Sequence, residues 1–295
     1  STIGPMKHYT MTFIGGGNMS SAIIGGLMKS DISPERVRVV DPDPSVQQRF
    51  KNAWGIPVEP TFTASHATAD VLVLAVKPQV MGDVLGGIAP HLPSQSDSPV
   101  IISIASGISL ETLNRGLPHP QHPRPIVRAM PNTPALVGDG MTALVGNEAI
   151  GDHHQSWVTH LMAQVGECLW LDDEKDMDLV TALSGSGPAY FFLLAEKLIE
   201  AGIRQGLDRA VAQQLITQTA LGAGRMLHVS TESPATLREK VTSPGGTTEA
   251  ALSVFADHHF DKLVSEAVEA AKQRSEALGT SPISSQSTPD HPKEN

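Results

Sequence analysis

Thr10-Met-Thr-Phe-Ile14 runs without a gap into Gly15-Gly-Gly-Asn-Met-Ser-Ser21, and from Ser20 to Lys29 small and apolar residues recur at helical spacing. A short apolar strand, a glycine turn and a helix in immediate succession match the dinucleotide fingerprint Gly15-x-Gly17-x-x-Ser20, with a small residue in the third glycine position. Gly15 permits the tight turn, Gly17 lets the backbone approach a pyrophosphate, and Ser20 allows strand and helix to pack closely. The competing reading is a plain strand–helix turn. The strands downstream favour the cofactor.

Arg36–Val40 reads as a second strand ending at Asp41 in Val-Val-Asp-Pro-Asp. A carboxylate there can accept from the adenosine ribose hydroxyls and repel a 2′-phosphate, which leans toward NADH. Asp41 can equally begin a turn with Pro42, and no arginine directly follows it to hold a phosphate. Asp70–Val76 and Val100–Ala105 are continuous apolar runs, as in strands buried on both faces of a parallel sheet. They stop at Lys77-Pro78-Gln79 and Ser106-Gly107. Ligands of open parallel sheets bind beyond the strands' carboxyl ends, so Ala75–Pro78 and Ile104–Gly107 should line the cofactor cleft. Lys77 is open to a second reading as a solvated strand end. Pro125–Arg128 reads as a further strand before the rigid corner Met130-Pro-Asn-Thr-Pro134, and Gly140–Gly146 and Glu167–Leu171 as two more. Pro93–Pro99 and Pro118–Pro125 are connections.

After Asp173 strand-like runs vanish. Met177–Leu183 reads as a short helix leading to Ser184-Gly-Ser-Gly-Pro-Ala-Tyr190, where Pro188 suits a first helical position and Ser184 or Ser186 a cap. Further helices are expected over Ala189–Gln205, over Ala210–Leu227 behind Asp208, from Ser233-Pro234 to Val241, and over Asp261–Leu278. Small residues at Ala220–Gly224 would permit close helix contact. The expected fold class is α/β: an N-terminal Rossmann-like dinucleotide-binding domain over 6–172, then an all-α C-terminal dimerisation domain over 173–279. Residues 280–295 read as a disordered tail and Ser1–Pro5 as an expression scar before a native start at Met6.

Val241-Thr-Ser-Pro-Gly-Gly-Thr-Thr-Glu-Ala-Ala-Leu252 is the expected substrate element. Hydroxyls at Thr242, Ser243 and Thr248 flank Gly245 and Gly246, whose N–H groups a ligand can approach closely. A helix starting near Thr247 would point its unpaired N–H groups at a carboxylate or phosphate, with a dipole contribution of about 0.3–1 kcal/mol. An ordinary Pro-Gly turn with a hydroxyl cap is the alternative.

Composition narrows the field. A net charge of −10 over 295 residues argues against nucleic acid or an anionic membrane surface as partner. The longest apolar runs, Val71–Val76 and Ala189–Ala195, are too short to span a bilayer. A single cysteine, Cys168, excludes an internal disulfide and suits a reducing cytoplasm. The 12 histidines form no metal-ligand spacing, so no metal is expected.

Taken in order, Phe13-Ile-Gly-Gly-Gly-Asn-Met19, Ala75-Val-Lys-Pro-Gln79, Ser103-Ile-Ala-Ser-Gly107, Met130-Pro-Asn-Thr-Pro134, Ser184–Tyr190 and Pro234–Phe255 resemble the pyrroline-5-carboxylate reductase family. The last piece, Pro234-x-x-Leu237-x-x-x-Val241-Thr-Ser-Pro-Gly-Gly-Thr-Thr248, resembles the family signature closely and departs from it at Ala256. The resemblance implies reduction of 1-pyrroline-5-carboxylate to L-proline with NADPH or NADH. It implies an intertwined homodimer through the helical domain, often built into decamers, with the substrate site between one subunit's Rossmann domain and helices near the partner's. It makes Thr248 the proton donor or imine-orienting hydroxyl, with the backbone N–H groups of Gly246–Thr248 holding the carboxylate and Ser243 and Gly245 beside the substrate. Gly15, Gly17, Asn18 and Met19 would contact the pyrophosphate and Val76, Lys77, Pro78 and Ala105 would lie near the nicotinamide side, with Ile14, Ala75 and Asp41 also among the cofactor-binding residues. Many relatives carry asparagine where this chain has Lys240, so a cofactor contact from that position is not carried over.

Two other classes compete. A β-hydroxyacid dehydrogenase would need a lysine four residues after Gly187, where Phe191 stands. A non-catalytic nicotinamide-nucleotide sensor would need the fingerprint but not the hydroxyl-lined Pro244–Thr248 loop.

Overall fold

The computed structural model describes residues 8–94 and 99–280. The expected scar at Ser1–Pro5 and all of the expected tail beyond Thr280 lie outside the described residues, as does the middle of the Pro93–Pro99 connection.

Eight strands form one sheet among the described residues: β1 Met11–Ile14, β2 Val37–Val40, β3 Val58–Glu59, β4 Val71–Leu74, β5 Val100–Ser103, β6 Ile126–Met130, β7 Gly140–Gly146 and β8 Gly166–Trp170. Their spatial order is β3-β2-β1-β4-β5-β6-β7-β8. Neighbours are parallel except β6 and β7, which pair antiparallel with Met130 opposite Ala143. The β6–β7 connection is too short for a helical crossover, so the chain must turn back on itself there. All four residues of β1 and all four of β4 are buried; β4 therefore reads as an unbroken apolar run, and in β1 the one polar residue, Thr12, donates its hydroxyl to His66 O at 3.1 Å. β3 has only two residues and too little pattern to be read from sequence.

Helices cover both faces. On one, α1 Asn18–Lys29, α2 Pro44–Trp54 and α5 Asp152–Met162 pack Ile23, Leu27, Phe50 and Leu161 against Phe13 and Val39. On the other, α3 Met81–Ile88 and α4 Leu110–Gly116 bring Leu85 and Leu113 against Leu72 and Leu74. Each such side chain, fully buried, contributes about 1.5–3 kcal/mol. Local chemistry starts and stops these helices. Asp43 caps α2 by accepting from Ser45 N at 2.8 Å, Pro44 opens it, and Gly55 at φ +66° ends it.

Beyond β8 the chain departs from expectation. α6 Met177–Val180 does not end before Pro188. It widens into a π turn, Thr181–Gly185, and runs on into α7 Gly187–Arg204. Ser184 and Ser186 therefore meet no helix start to cap; the Ser184 hydroxyl instead donates to Val180 O at 3.2 Å. The remaining helices are α8 Arg209–Val229, α9 Pro234–Lys240, α10 Thr247–Asp257 and α11 Phe260–Gly279.

The chain divides into two compact units, one of residues up to Ser186 together with those from Ala271 on, the other Gly187–Ala270. This division differs from a boundary at 172/173 for a physical reason. Glu174 Oε2 accepts from Leu110 N and from Arg128 Nη1, each at 2.8 Å, and Ser275 Oγ donates to Asp178 Oδ1 at 2.6 Å. These bonds tie the first turns after β8, and the end of α11, to the sheet unit. In the second unit α7 and α8 pair closely around Ala212, after a turn at Gly206 with φ +107°. Most of its large apolar side chains stay exposed, Phe191 at 69% and Phe192 at 64% among them. Nothing lies within 4 Å of a Cβ placed on Gly222 or Gly224.

Candidate active site

At the carboxyl end of β1 the chain turns through Gly15 with φ +97°, and a Cβ there would lie 2.4 Å from Ala75 O. Only glycine fits, for conformation and for space. Ser20 is fully buried and its hydroxyl donates to Gly15 O at 2.6 Å, locking the first turn of α1 onto the strand end. Gly17 is the N-cap of α1, no side chain caps it, and its first turn carries no acid. A Cβ on Gly17 would meet nothing within 4 Å, so the protein itself leaves open space beside it. An uncapped helix start behind an open glycine suits a pyrophosphate. Asn18 is exposed at this end, and Met19 is half-buried against the core.

Gly16 is the residue that sequence reasoning passed over. Its Cβ would lie 2.4 Å from Val46 Cγ1, and its N–H donates to Asp41 Oδ2 at 2.8 Å. In a run of three glycines nothing local marks the middle one, because the obstacle comes from α2. The other carboxylate oxygen of Asp41 accepts from Asp43 N at 2.9 Å. Ile14, Ala75, Val76, Lys77, Pro78 and Ala105 come together along the same sheet edge: Ala75 N donates to Ile14 O at 2.8 Å and Ile104 N to Leu74 O at 3.0 Å. Ala105 is buried, whereas Lys77 is exposed.

Between β2 and β3, Arg38 Nη2 lies 2.7 Å from Glu59 Oε1, and this hydrogen bond, foremost, holds the Glu59 carboxyl below its usual range. His66 is fully buried and stacked on Phe62 at 5.4 Å. Its Nδ1 accepts from Thr63 N at 2.9 Å, while Nε2 lies 3.2 Å from Glu59 Oε2 without the alignment of a hydrogen bond. Burial, chiefly, pushes the imidazole pKa down.

The expected substrate residues lie together in the second unit, at the junction of α9 and α10. Thr242 Oγ1 donates back to Arg238 O at 2.6 Å, so its hydroxyl belongs to the end of α9. Gly245 turns at φ +71°, and its N–H faces Glu249 Oε1 at 3.3 Å. Gly246 N donates to Ser243 O at 3.1 Å. Gly246 is the N-cap of α10 with no side-chain cap, so the unengaged donors of this end are those of the first helical turn, Thr247 and Thr248 onward. Thr248 is half-buried and Ser243 exposed. Lys240 is bonded to Glu232 within the same unit.

Among the described residues no group of three or more His, Cys, Asp or Glu could hold a metal ion. No described helix is long and apolar enough to cross a membrane.

Comparison with known proteins covers both parts of the chain. A family model described as "Pyrroline-5-carboxylate reductase dimerisation" matches residues 174–278, and one described as "NADP oxidoreductase coenzyme F420-dependent" matches 10–107. With its exposed apolar helices, the first of these regions is one through which the chain self-associates. A pyrroline-5-carboxylate reductase of Pseudomonas aeruginosa is 44% identical over 268 residues, 91% of this chain and 96% of that protein. The solved structure of a pyrroline-5-carboxylate reductase from Coxiella burnetii superimposes with a TM-score of 0.84 at 37% identity, covering 92% of this chain and 99% of that one. The Plasmodium falciparum pyrroline carboxylate reductase, solved with NADP bound, gives 0.81 at 32% identity over 93% and 99%. Identity of this level, over nearly the whole length of both partners and both units of the fold, means that the chain belongs to the pyrroline-5-carboxylate reductase family.

Proposed function

We propose that this chain reduces 1-pyrroline-5-carboxylate to L-proline with NADPH or NADH. One observation carries the reading beyond the family: α10 starts uncapped behind Gly245-Gly246, with Thr248 in its first turn. A small anionic ring suits that end. Its carboxylate takes the N–H groups of Thr247 and Thr248, while Gly245 and Gly246 shape the approach and Ser243 flanks it. Gly15, Gly17, Asn18 and Met19 hold the dinucleotide pyrophosphate, and Ile14, Ala75–Pro78 and Ala105 form the strand-end ledge on the nicotinamide side. When bound, the reduced nicotinamide supplies hydride to the imine carbon.

A cyclic imine protonates near neutral pH, and its iminium carbon accepts hydride without a strong protein acid. The protein's task is to orient the ring, hold its carboxylate and exclude water. The Thr248 hydroxyl orients the imine nitrogen or passes it a proton, a contribution of about 1–3 kcal/mol. We further propose that the self-associating form is a homodimer, assembled into decamers, and that Cys168 stays reduced in the cytoplasm.

The test is loss of reduced-nicotinamide absorbance on adding the imine, run with NADH and with NADPH. Oxidation with formation of proline is expected; none with either nucleotide would overturn the reading.

A further inference from the structure

Arg49 belongs to no fingerprint, yet from the exposed side of α2 it donates through Nη2 to the carbonyl of Gly16, with Ser21 Oγ 3.5 Å away. On the other side of the same residue, Gly16 N donates to Asp41 Oδ2 at 2.8 Å. Asp41 is itself fixed from three directions. Asp43 N donates to its Oδ1 at 2.9 Å, Gln47 Nε2 to its carbonyl at 3.1 Å, and its own N–H to Glu59 O at 3.0 Å. α2 also closes sterically on the loop, since a Cβ on Gly16 would lie 2.4 Å from Val46 Cγ1 and 3.0 Å from the Phe50 ring. The two peptide units flanking Gly16 are thus each held by one charged side chain. Gly17, next in the chain, is left open.

We infer that Asp41 and Arg49 act as a pair of positioning residues for the dinucleotide. They clamp the Gly16 peptide units so that the open start of α1 is already shaped for a pyrophosphate before the nucleotide arrives. This rests on the reading that a nicotinamide dinucleotide binds the loop, and it goes further. A carboxylate spent on shaping the loop supports NADH and NADPH alike, so its loss should weaken both rather than exchange one for the other.

The experiment measures Kd for NADH and for NADPH, without imine, by nucleotide fluorescence on the full chain and on Asp41→Asn, Arg49→Met and Arg49→Lys, with Tm recorded for each. Asp41→Asn and Arg49→Met should raise both constants about 3–10-fold, the worth of one hydrogen bond. The NADPH-to-NADH ratio should hold within about two-fold. Arg49→Lys, which still offers a donor to the Gly16 carbonyl, should recover most of the loss, and in turnover the effect should fall on nucleotide KM rather than kcat. A ratio moved about ten-fold either way would mean direct contact with the 2′ substituent and overturn the clamp. So would unchanged constants. Should Arg49→Met fail to fold, the isosteric Asp41→Asn carries the same comparison. Because no imine is present, failure of the clamp is distinguishable from failure of the proposed reaction.

Discussion

Asn132 Nδ2 donates to the carbonyl of Ser184 at 3.0 Å, and Ser184 stands four residues before Pro188, which has no N–H to give it. In a regular helix the carbonyl of Ser184 would take its hydrogen bond from that position. The side-chain amide of Asn132 supplies the missing donor from across the sheet edge, while its Oδ1 accepts from Met141 N at 2.9 Å. The carbonyl that Pro188 leaves without a helical donor is thus satisfied by a distant asparagine. Asn132 of the Met130-Pro-Asn-Thr-Pro134 corner and Ser184, 52 residues apart in sequence, meet within the sheet unit.

Asn132→Ala should therefore destabilise by about 1–3 kcal/mol, the cost of leaving half-buried polar groups unpaired, or about 2–4 °C of Tm per kcal/mol at this size. Asn132→Asp keeps the acceptor for Met141 N but sets a carboxylate against the Ser184 carbonyl, and should be no better. An Asn132→Asp protein melting with the parent would show that the Ser184 bond contributes nothing.

The two outer glycines of the loop separate strain from ligand contact. Gly15→Ala combines φ +97° with a Cβ 2.4 Å from Ala75 O, and should lower Tm markedly and abolish nucleotide binding. Gly17→Ala meets no atom of the protein within 4 Å, so its Tm should stay within about 2 °C while nucleotide Kd rises ten-fold or more. Tight nucleotide binding by Gly17→Ala would place the pyrophosphate elsewhere.

Thr248→Ala should slow turnover about 10–100-fold without ending it, since one hydroxyl to the imine nitrogen is worth a single hydrogen bond and each ten-fold is about 1.4 kcal/mol. Thr248→Ser, which keeps the hydroxyl, should recover most of the rate. Steady-state kcat/KM decides; an unchanged value in Thr248→Ala removes the residue from the reaction.

His66 makes stability pH-dependent. Burial holds its folded pKa below the ordinary 6.5, with Arg38 acting in the same direction and Glu59 opposing. The Thr63 N–H already donates to Nδ1 at 2.9 Å and so occupies the lone pair that a proton would take. The unfolded chain binds the proton more readily, so the stabilisation is present above pH ~6.5 and is lost as pH falls toward the folded value, at a slope of at most roughly 1.4 kcal/mol per pH unit. Thermal melts from about pH 7.5 down to about 5.5, a range that brackets the ordinary histidine value, should show Tm falling in the parent and a shallower fall in His66→Gln. Parallel profiles would exclude His66 as the source.

Much of this was legible along the chain. Strand, glycine turn and helix at Thr10–Lys29, the apolar runs of β4 and β5, Asp208 before α8 and Ser233-Pro234 before α9 are short-range patterns, and each occurs in the structure near its expected place. β3 was not legible, because two residues carry no period. The π turn was not, because Pro188 looks like a helix start to anything that reads only its neighbours.

The order of residues by itself determined the types of the longer elements, the turn at Gly15 and the family, since each depends on chemistry within a few residues or on motifs in sequence order. Only tertiary structure decided why Gly16 must also be glycine, what occupies the Asp41 carboxylate, and where the sheet unit ends. Those answers are set by side chains of α2, by Asn132, and by Glu174 and Ser275, whose nearness to their partners comes from folding and leaves no local pattern to read.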